Sequence, residues 1–312
     1  MDETKGSEEA GAKKAAASSP KFLSPVAKAR ALAKEKASRK EGDVIQEEEE
    51  TIFKAPDDTR PSILVLGGCG MVGRNFVTFL VQNGLAKKIR VADKCIPAMG
   101  FFHPTTTEVF EAVDFVQADL TKPAHIDRTF ATEAFDFVVN FAAETRYGQP
   151  QQIYDERCTN LSRLCAQKAL QCGVRKFIEI STAQVYKSQC RKPSDESAAI
   201  SPWTKVAAAK LAAEAEVTRV SGLYSLIIRP AFVYGPADSA SIMPRIICAA
   251  AYVELGEKMK FLWDAAMKLN TVHVLDVCRG IWHLLSLDGW FTSPCTLSCL
   301  NDIPFYSRKL FL

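Results

Sequence analysis

The stretch Ser62-Ile-Leu-Val-Leu-Gly-Gly-Cys-Gly-Met-Val-Gly-Arg-Asn constrains this chain more than any other. The unbroken apolar run from Ile63 to Leu66 suits a parallel strand buried on both faces. It passes directly into Gly67, Gly68, Gly70 and Gly73 and then into a helix-forming segment. A helix starting there points its free N–H groups and the positive end of its dipole into the turn. A Gly67-x-x-Gly70-x-x-Gly73 spacing allows close approach of a pyrophosphate and tight packing of helix on strand. The same glycines also suit a tight strand-to-helix turn on steric grounds alone. The rest of the chain has to decide between the two.

Behind the turn, strands and helices alternate. Strand-like runs at Ile89–Ala92, Asp114–Asp119, Phe135–Phe141, Lys176–Ser181 and Tyr224–Arg229 are separated by helical patterns. Those helices are expected over Met71–Asn83, Ala124–Thr132, Pro150–Gln171 and Pro202–Val220, with a looser stretch at Pro97–Thr107. Alternation of this kind predicts βαβ units, a parallel sheet and right-handed crossovers. The expected fold is α/β, a doubly wound parallel sheet. Ligands of such sheets bind outside the carboxyl ends of the strands, so the strand ends carry the candidate residues. Asp93 can accept both hydroxyls of an adenine ribose and would repel a 2′-phosphate; it also suits a plain strand-end turn. Asp119, with Leu120 beside it, can meet an adenine amino group or cap the helix that follows. Ala142 and Ala143 are small enough to pass under a cofactor or simply to pack tightly. Arg74 and Lys94 offer an alternative hold on a phosphate.

Composition removes several classes. A formal net charge of +3 over 312 residues does not argue for nucleic acid or an acidic membrane surface. No run reaches the roughly 18 apolar residues of a membrane span, and the N-terminus lacks a signal-peptide core. A cytoplasmic location is expected. The ten cysteines include no C-x-x-C pair, so neither a disulfide framework nor a metal site is expected. Cys158, Cys165 and Cys172 recur along one helix face and are read as packing. Residues 1–60 are rich in Ala, Lys, Glu and Ser and are expected to form a disordered polar tail. Ala27–Lys40 can form a transient helix, and Ser19-Pro20 and Ser24-Pro25 are candidate modification sites through which the tail docks a protein partner.

The ordered set Gly67-x-x-Gly70-x-x-Gly73, Asp93, Ala118-Asp119-Leu120, Phe141-Ala142-Ala143, Ser181-Thr182-Ala183-Gln184-Val185-Tyr186, Lys210-Leu-Ala-Ala-Glu214 and Arg229-Pro230-Ala-Phe-Val-Tyr-Gly-Pro236 resembles the extended short-chain dehydrogenase/reductase superfamily. Within it the likeness is to the NAD-dependent epimerase/dehydratase group, over about Pro61 to Leu287. The resemblance implies an NAD(P)-binding Rossmann domain at 61–236. It also implies a partial substrate-binding region at 237–312, interleaved with the core. The likeness fades after Trp290, so a shortened C-terminal region is expected. The cofactor implied is NAD rather than NADP. Gly67, Gly70, Met71, Val72, Gly73, Asp93, Asp119, Leu120, Ala142, Ala143, Lys210 and Pro230 would hold it. The substrate implied is a nucleotide sugar or a sterol-like alcohol or ketone, and a homodimer is expected. Thr182 would polarise the reacting oxygen, and Lys210 would hold the nicotinamide ribose.

The chain departs from the family at the proton donor. Val206 stands four residues before Lys210, where the family has Tyr. Aligning on Ser201-Pro202 instead puts Trp203 and Ala207 at the Tyr and Lys positions. Tyr147 and Tyr186, each just after a strand, can approach the same sheet edge. Two readings stay open: an oxidoreductase with an atypical active site, and a catalytically inactive NAD(P)-binding structural or regulatory subunit.

Overall fold

The computed structural model describes residues 58–187, 196–260 and 268–287, together with the backbone of Lys309–Phe311. Its strands are β1 (Ser62–Leu66), β2 (Lys88–Asp93), β3 (Asp114–Gln117), β4 (Phe137–Asn140), β5 (Lys176–Ile180), β6 (Ser225–Arg229), β7 (Phe232–Tyr234), β8 (Thr271–His273) and β9 (Lys309–Phe311). Its helices are α1 (Met71–Gln82), α2 (Pro104–Glu111), α3 (Pro123–Phe130), α4 (Gln151–Tyr154), α5 (Leu161–Gln171), α6 (Lys205–Thr218), α7 (Met243–Glu254) and α8 (Val274–Ser286). Seven strands form one parallel sheet in the order β3-β2-β1-β4-β5-β6-β9.

The apolar run Ile63–Leu66 explains the layering. All of β1 is buried. Ile63 and Val65 enter one core layer, and Leu64 and Leu66 enter the other. Against the first layer α1 packs Phe76, Val77 and Leu80, and α8 packs Val277, Ile281 and Leu285. Against the second, α3 packs Ile126 and Phe130, and α5 packs Cys165, Ala166 and Ala169. Each fully buried aliphatic side chain contributes about 1.5–3 kcal/mol relative to leaving it in water. This is the doubly wound arrangement expected from the alternating pattern. Cys158 and Cys165 are packing residues in two buried clusters.

Several boundaries differ from the sequence reading. The stretch read as loose carries α2, whose three consecutive threonines are poor helix formers. Only Val109 and Phe110 bury there. The sixth helix starts at Lys205 rather than Pro202, because the Thr204 hydroxyl caps it by accepting from Ala207 N at 3.0 Å. The long helix expected over 150–171 is interrupted by a π-helical stretch, Asp155–Asn160, between α4 and α5. After β6 the chain does not simply turn. It forms β7, which pairs in parallel with β8 in a separate two-stranded sheet. All but residues 58–60 of the expected tail lie outside the described residues, including Ser19, Ser24 and Ala27–Lys40; 261–267 and 288–308 do so too. Among the described residues no helix is long and apolar enough to cross a membrane.

Candidate functional site

The sheet order reverses between β1 and β4, which lie side by side. Connections leave these two strands toward opposite faces, so a crevice opens at their carboxyl ends. A cleft of about 330 Å³ occupies that place. Of the expected cofactor residues, Gly67, Gly70, Asp93, Asp119, Leu120, Ala142 and Ala143 line it. Met71 and Val72 open α1 beside it, and Gly73 is buried beneath the turn.

The glycine turn is held by backbone geometry that excludes side chains. Gly67 has φ +74°, and a Cβ there would lie 2.5 Å from Ala142 N. A Cβ on Gly73 would lie 2.5 Å from Gly67 O and 2.7 Å from Gly68 Cα. Gly70 differs: its nearest neighbour to an added Cβ is Gly67 O at 3.4 Å, and it is exposed. Gly70 is also the N-cap of α1 and supplies no side-chain acceptor to the helix N–H groups. A helix N-terminus left without a side-chain cap in this way is suited to an anion. The Cys69 thiol in this turn is pushed up to about 12 by burial and by Asp93 beside it, so it stays protonated.

Asp93 ties the turn to β2. Its Oδ2 accepts from Cys69 N at 2.9 Å and its Oδ1 from Cys95 N at 3.0 Å. Each carboxylate oxygen has a second lone pair, so the group can still accept from a ligand. Arg74 is engaged chiefly by the backbone of the turn. Its guanidinium donates to Cys69 O at 2.6 and 3.0 Å and to Gly100 O at 3.0 Å. It also stacks over Phe102 at 4.3 Å. Asp119 Oδ1 accepts from Thr121 N at 3.2 Å and from Thr121 Oγ1 at 2.8 Å. Burial acts to raise the Asp119 carboxyl, but the two Thr121 donors outweigh it and hold it below its ordinary value. Asp119 does not cap the helix that follows, whose N-cap is Lys122 with no side-chain cap bond; it closes a local turn onto Thr121 and lines the cleft.

The opposite wall escaped the sequence reading. Glu144, directly after Ala142-Ala143, is buried at 5 % exposure and lines the cleft with Glu156 and Arg157. The Arg157 guanidinium donates to Glu144 Oε2 at 3.1 Å, and Arg146 donates to both carboxylate oxygens at 2.9 Å. Glu156 and Arg157 lie in the π-helical stretch, a local rewinding often found at functional sites. The strand-end position of Glu144 was a usable signal; the π-turn that places Arg157 was not. Arg146, seconded by Arg157, holds the Glu144 carboxyl down from 4.5 to about 2 against burial. A depressed carboxyl stabilises the fold above its unfolded pKa and loses that contribution as pH falls through the folded value. Glu144→Gln is therefore expected to lower Tm by a constant amount above about pH 5. The deficit should shrink between pH 4.5 and about 2. Thermal melts across that range would show a pH-independent deficit if the ion pairs do not form.

The residues expected to do chemistry lie further along the same edge. Thr182 follows β5, and its Oγ1 accepts from Gln184 N at 3.3 Å. Ala183 N donates to Pro230 O at 2.8 Å, which fastens this segment to the end of β6. Lys210 is turned inward and does not line the cleft. Its Nζ donates to Ile180 O at 2.6 Å and lies 3.4 Å from Glu179 Oε1. Glu179 has no solvent exposure and also accepts from Asn140 at 2.6 Å and Ser162 at 3.0 Å. Burial raises the Glu179 carboxyl despite these partners. Val206 packs with Tyr154, Cys158 and Ala209. Tyr186 is buried, and Arg229 Nη1 donates to its hydroxyl at 2.6 Å. Burial pushes the Tyr186 phenol up although Arg229 opposes it. Arg229 is itself held by Glu214, on α6, which Ser181 also contacts. Tyr147 is exposed, and Gln184 Nε2 donates to its hydroxyl at 3.3 Å.

Comparison with known proteins adds four findings. A family model described as the NAD dependent epimerase/dehydratase family matches residues 63–289. The chain is 28% identical to dTDP-D-glucose 4,6-dehydratase of Bos taurus over 199 residues, covering 62% of this chain and 56% of that protein. It is 29% identical to UDP-glucose 4-epimerase of Halalkalibacterium halodurans over 157 residues, covering 49% of this chain and 44% of that protein. The chain thus spans about half the length of such curated relatives. The crystal structure of the DesIV double mutant, a dTDP-glucose 4,6-dehydratase from Streptomyces venezuelae with NAD bound, superposes with a TM-score of 0.62 at 26% identity. That match covers 72% of this chain and 71% of the DesIV chain.

Proposed function

Because the chain belongs to the NAD dependent epimerase/dehydratase family, we propose that the cleft holds NAD and that the protein acts on a nucleotide sugar by oxidoreductive chemistry. One observation carries the cofactor: an uncapped helix N-terminus and a carboxylate at the end of β2 share one cleft at the switch point. The diphosphate takes the N–H groups of Met71, Val72 and Gly73 above Gly67 and Gly70. Asp93 takes the adenine ribose hydroxyls, and Asp119 and Leu120 meet the adenine. Ala142 and Ala143 form the floor, and Pro230 walls the nicotinamide. NAD is preferred to NADP because Asp93 repels a 2′-phosphate and Arg74 is committed elsewhere. When bound, NAD supplies the hydride acceptor and donor.

The chain's own groups orient the substrate. The Thr182 hydroxyl accepts from Gln184 N and so keeps its own proton for a substrate oxygen. Lys210 is assigned to the nicotinamide ribose, where it serves by exchanging its bond to Ile180 O. Residues beyond 236 supply the substrate region. A cytoplasmic location, a homodimeric state and docking through the N-terminal tail complete the proposal on sequence grounds. A second reading, a non-catalytic NAD-binding subunit, is favoured by the packing of Val206 into an apolar cluster.

NADH titration followed by nicotinamide fluorescence and thermal shift tests the cofactor. Saturable binding and a raised Tm are expected, with NADPH weaker by roughly tenfold or more, since like charges brought together cost several kcal/mol. Absence of NADH binding at millimolar concentration would overturn the proposal. Turnover is then tested with NAD on UDP-glucose, dTDP-glucose and a hydroxysteroid panel. Thr182→Ala is expected to lower turnover about 100-fold with NADH affinity retained, the scale of one oxyanion-type donor.

A further inference from the structure

We propose that Tyr147 is the proton-transferring residue of this site, in place of the Tyr that Val206 displaces, and that Gln184 positions it. The inference rests on the reading of the cleft as a dinucleotide-dependent site and says which group moves the proton there. Three tyrosines or tyrosine positions come near this sheet edge, and the structure disposes of two. Position 206 carries an aliphatic side chain packed among Tyr154, Cys158 and Ala209. The Tyr186 hydroxyl is buried and bound to Arg229 within the network that Glu214 anchors. Substrate cannot reach it without breaking that network.

Tyr147 is placed differently. It follows β4, on the carboxyl side of the sheet, and is 60% exposed. Gln184 is its link to the expected catalytic segment. Thr204 Oγ1 donates to Gln184 Oε1 at 3.0 Å. The Nε2–H group is then aimed at Tyr147 Oη, 3.3 Å away. The backbone N of the same Gln184 donates to Thr182 Oγ1 at 3.3 Å. One residue therefore holds both the Thr182 and the Tyr147 oxygens as acceptors. Each keeps its own O–H proton for a ligand. The Gln184 N–H also remains in place to donate to the Tyr147 oxygen after its proton has left.

The step balances as follows. A substrate carbonyl loses its C–O π bond; its carbon gains the hydride supplied by reduced nicotinamide dinucleotide, and its oxygen gains the phenolic proton of Tyr147. The products are the alcohol, the oxidised dinucleotide and a phenolate, which regains a proton from solvent across its exposed face. Oxidation of the alcohol runs through the same groups in reverse.

The test uses the full chain with NADH and NAD and the sugar panel described above. Tyr147→Phe is expected to leave NADH affinity within about twofold and to lower turnover about 100-fold or more, the usual scale of positioned acid–base catalysis. Gln184→Leu is expected to lower it about tenfold while binding persists. A second readout is independent of turnover. In protein labelled at tyrosine Cζ, the resonance lost in Tyr147→Phe should shift when the turned-over sugar is added to the NAD-loaded protein. Wild-type turnover by Tyr147→Phe overturns the proposal. NADH binding with no turnover of any sugar in the panel also overturns it, in favour of the non-catalytic subunit. Absence of NADH binding instead removes the reading of the cleft on which it stands.

Discussion

Gly67→Ala is expected to abolish measurable NADH binding and to lower Tm by roughly 10 °C, since about 2–4 °C accompanies each kcal/mol in a domain of this size. Two costs add. The φ of +74° lies in the left-handed region, which costs a residue with a Cβ about 1–2 kcal/mol. The added Cβ would also sit 2.5 Å from Ala142 N and 2.7 Å from Ala142 Cα. Those are backbone atoms of the cleft floor and cannot swing aside as a flexible side chain can; overpacking of this kind costs about 1–3 kcal/mol more. The strand-to-strand spacing is fixed by the β1–β4 ladder, in which Leu66 pairs with Asn140. The strain therefore appears in the turn, where the diphosphate is proposed to sit. Gly173→Ala is the control: its φ is +70°, but nothing lies within 4 Å of an added Cβ. If Gly67→Ala proves no worse than Gly173→Ala in melting and in NADH titration, the close approach of β1 and β4 at the turn is wrong.

Glu179→Ala is expected to destabilise the protein by about 3–5 kcal/mol in urea unfolding, the cost of leaving one partner of a buried ion pair uncompensated. The pair is not itself a large net gain, because desolvation offsets most of its attraction. The damage comes from what remains. The Lys210 ammonium, 6% exposed, would keep only Ile180 O, and Asn140 and Ser162 would lose their acceptor. The effect should reach the cleft as well, because Asn140 Oδ1 accepts from Ala142 N at 3.1 Å. Weaker NADH binding should therefore accompany the lost stability. Glu179→Met combined with Lys210→Met should recover part of the stability by removing both charges. A loss below about 1 kcal/mol for Glu179→Ala would show that the pair is solvated rather than buried.

Legibility differed by kind of feature. The strand order's consequences, the glycine turn and the strand-end residues Asp93, Asp119, Ala142 and Ala143 could all be read from the chain, because apolar runs and glycine spacing act locally. α2 was not legible: three threonines mask a short helix that only Val109 and Phe110 anchor. β7 and β8 were not legible as a pair, because nothing local links Phe232–Tyr234 to Thr271–His273. The π-helical stretch carries no sequence signature, yet it accompanies the placement of Arg157 on the cleft wall opposite Asp93.

By itself, then, the sequence determined the alternating layers and the turn at Gly67–Gly73. Each follows from residue type at a position: an apolar run must be buried, and only glycine tolerates φ +74° against a neighbouring backbone. The tertiary structure alone decided how the polar side chains are committed. It turned Lys210 inward to Glu179, locked Arg74 on Cys69 and Gly100, and closed Tyr186 under Arg229. It also brought Gln184 to Tyr147 across 37 residues. Such commitments depend on side-chain directions and on contacts between strands distant in sequence, which no local pattern encodes.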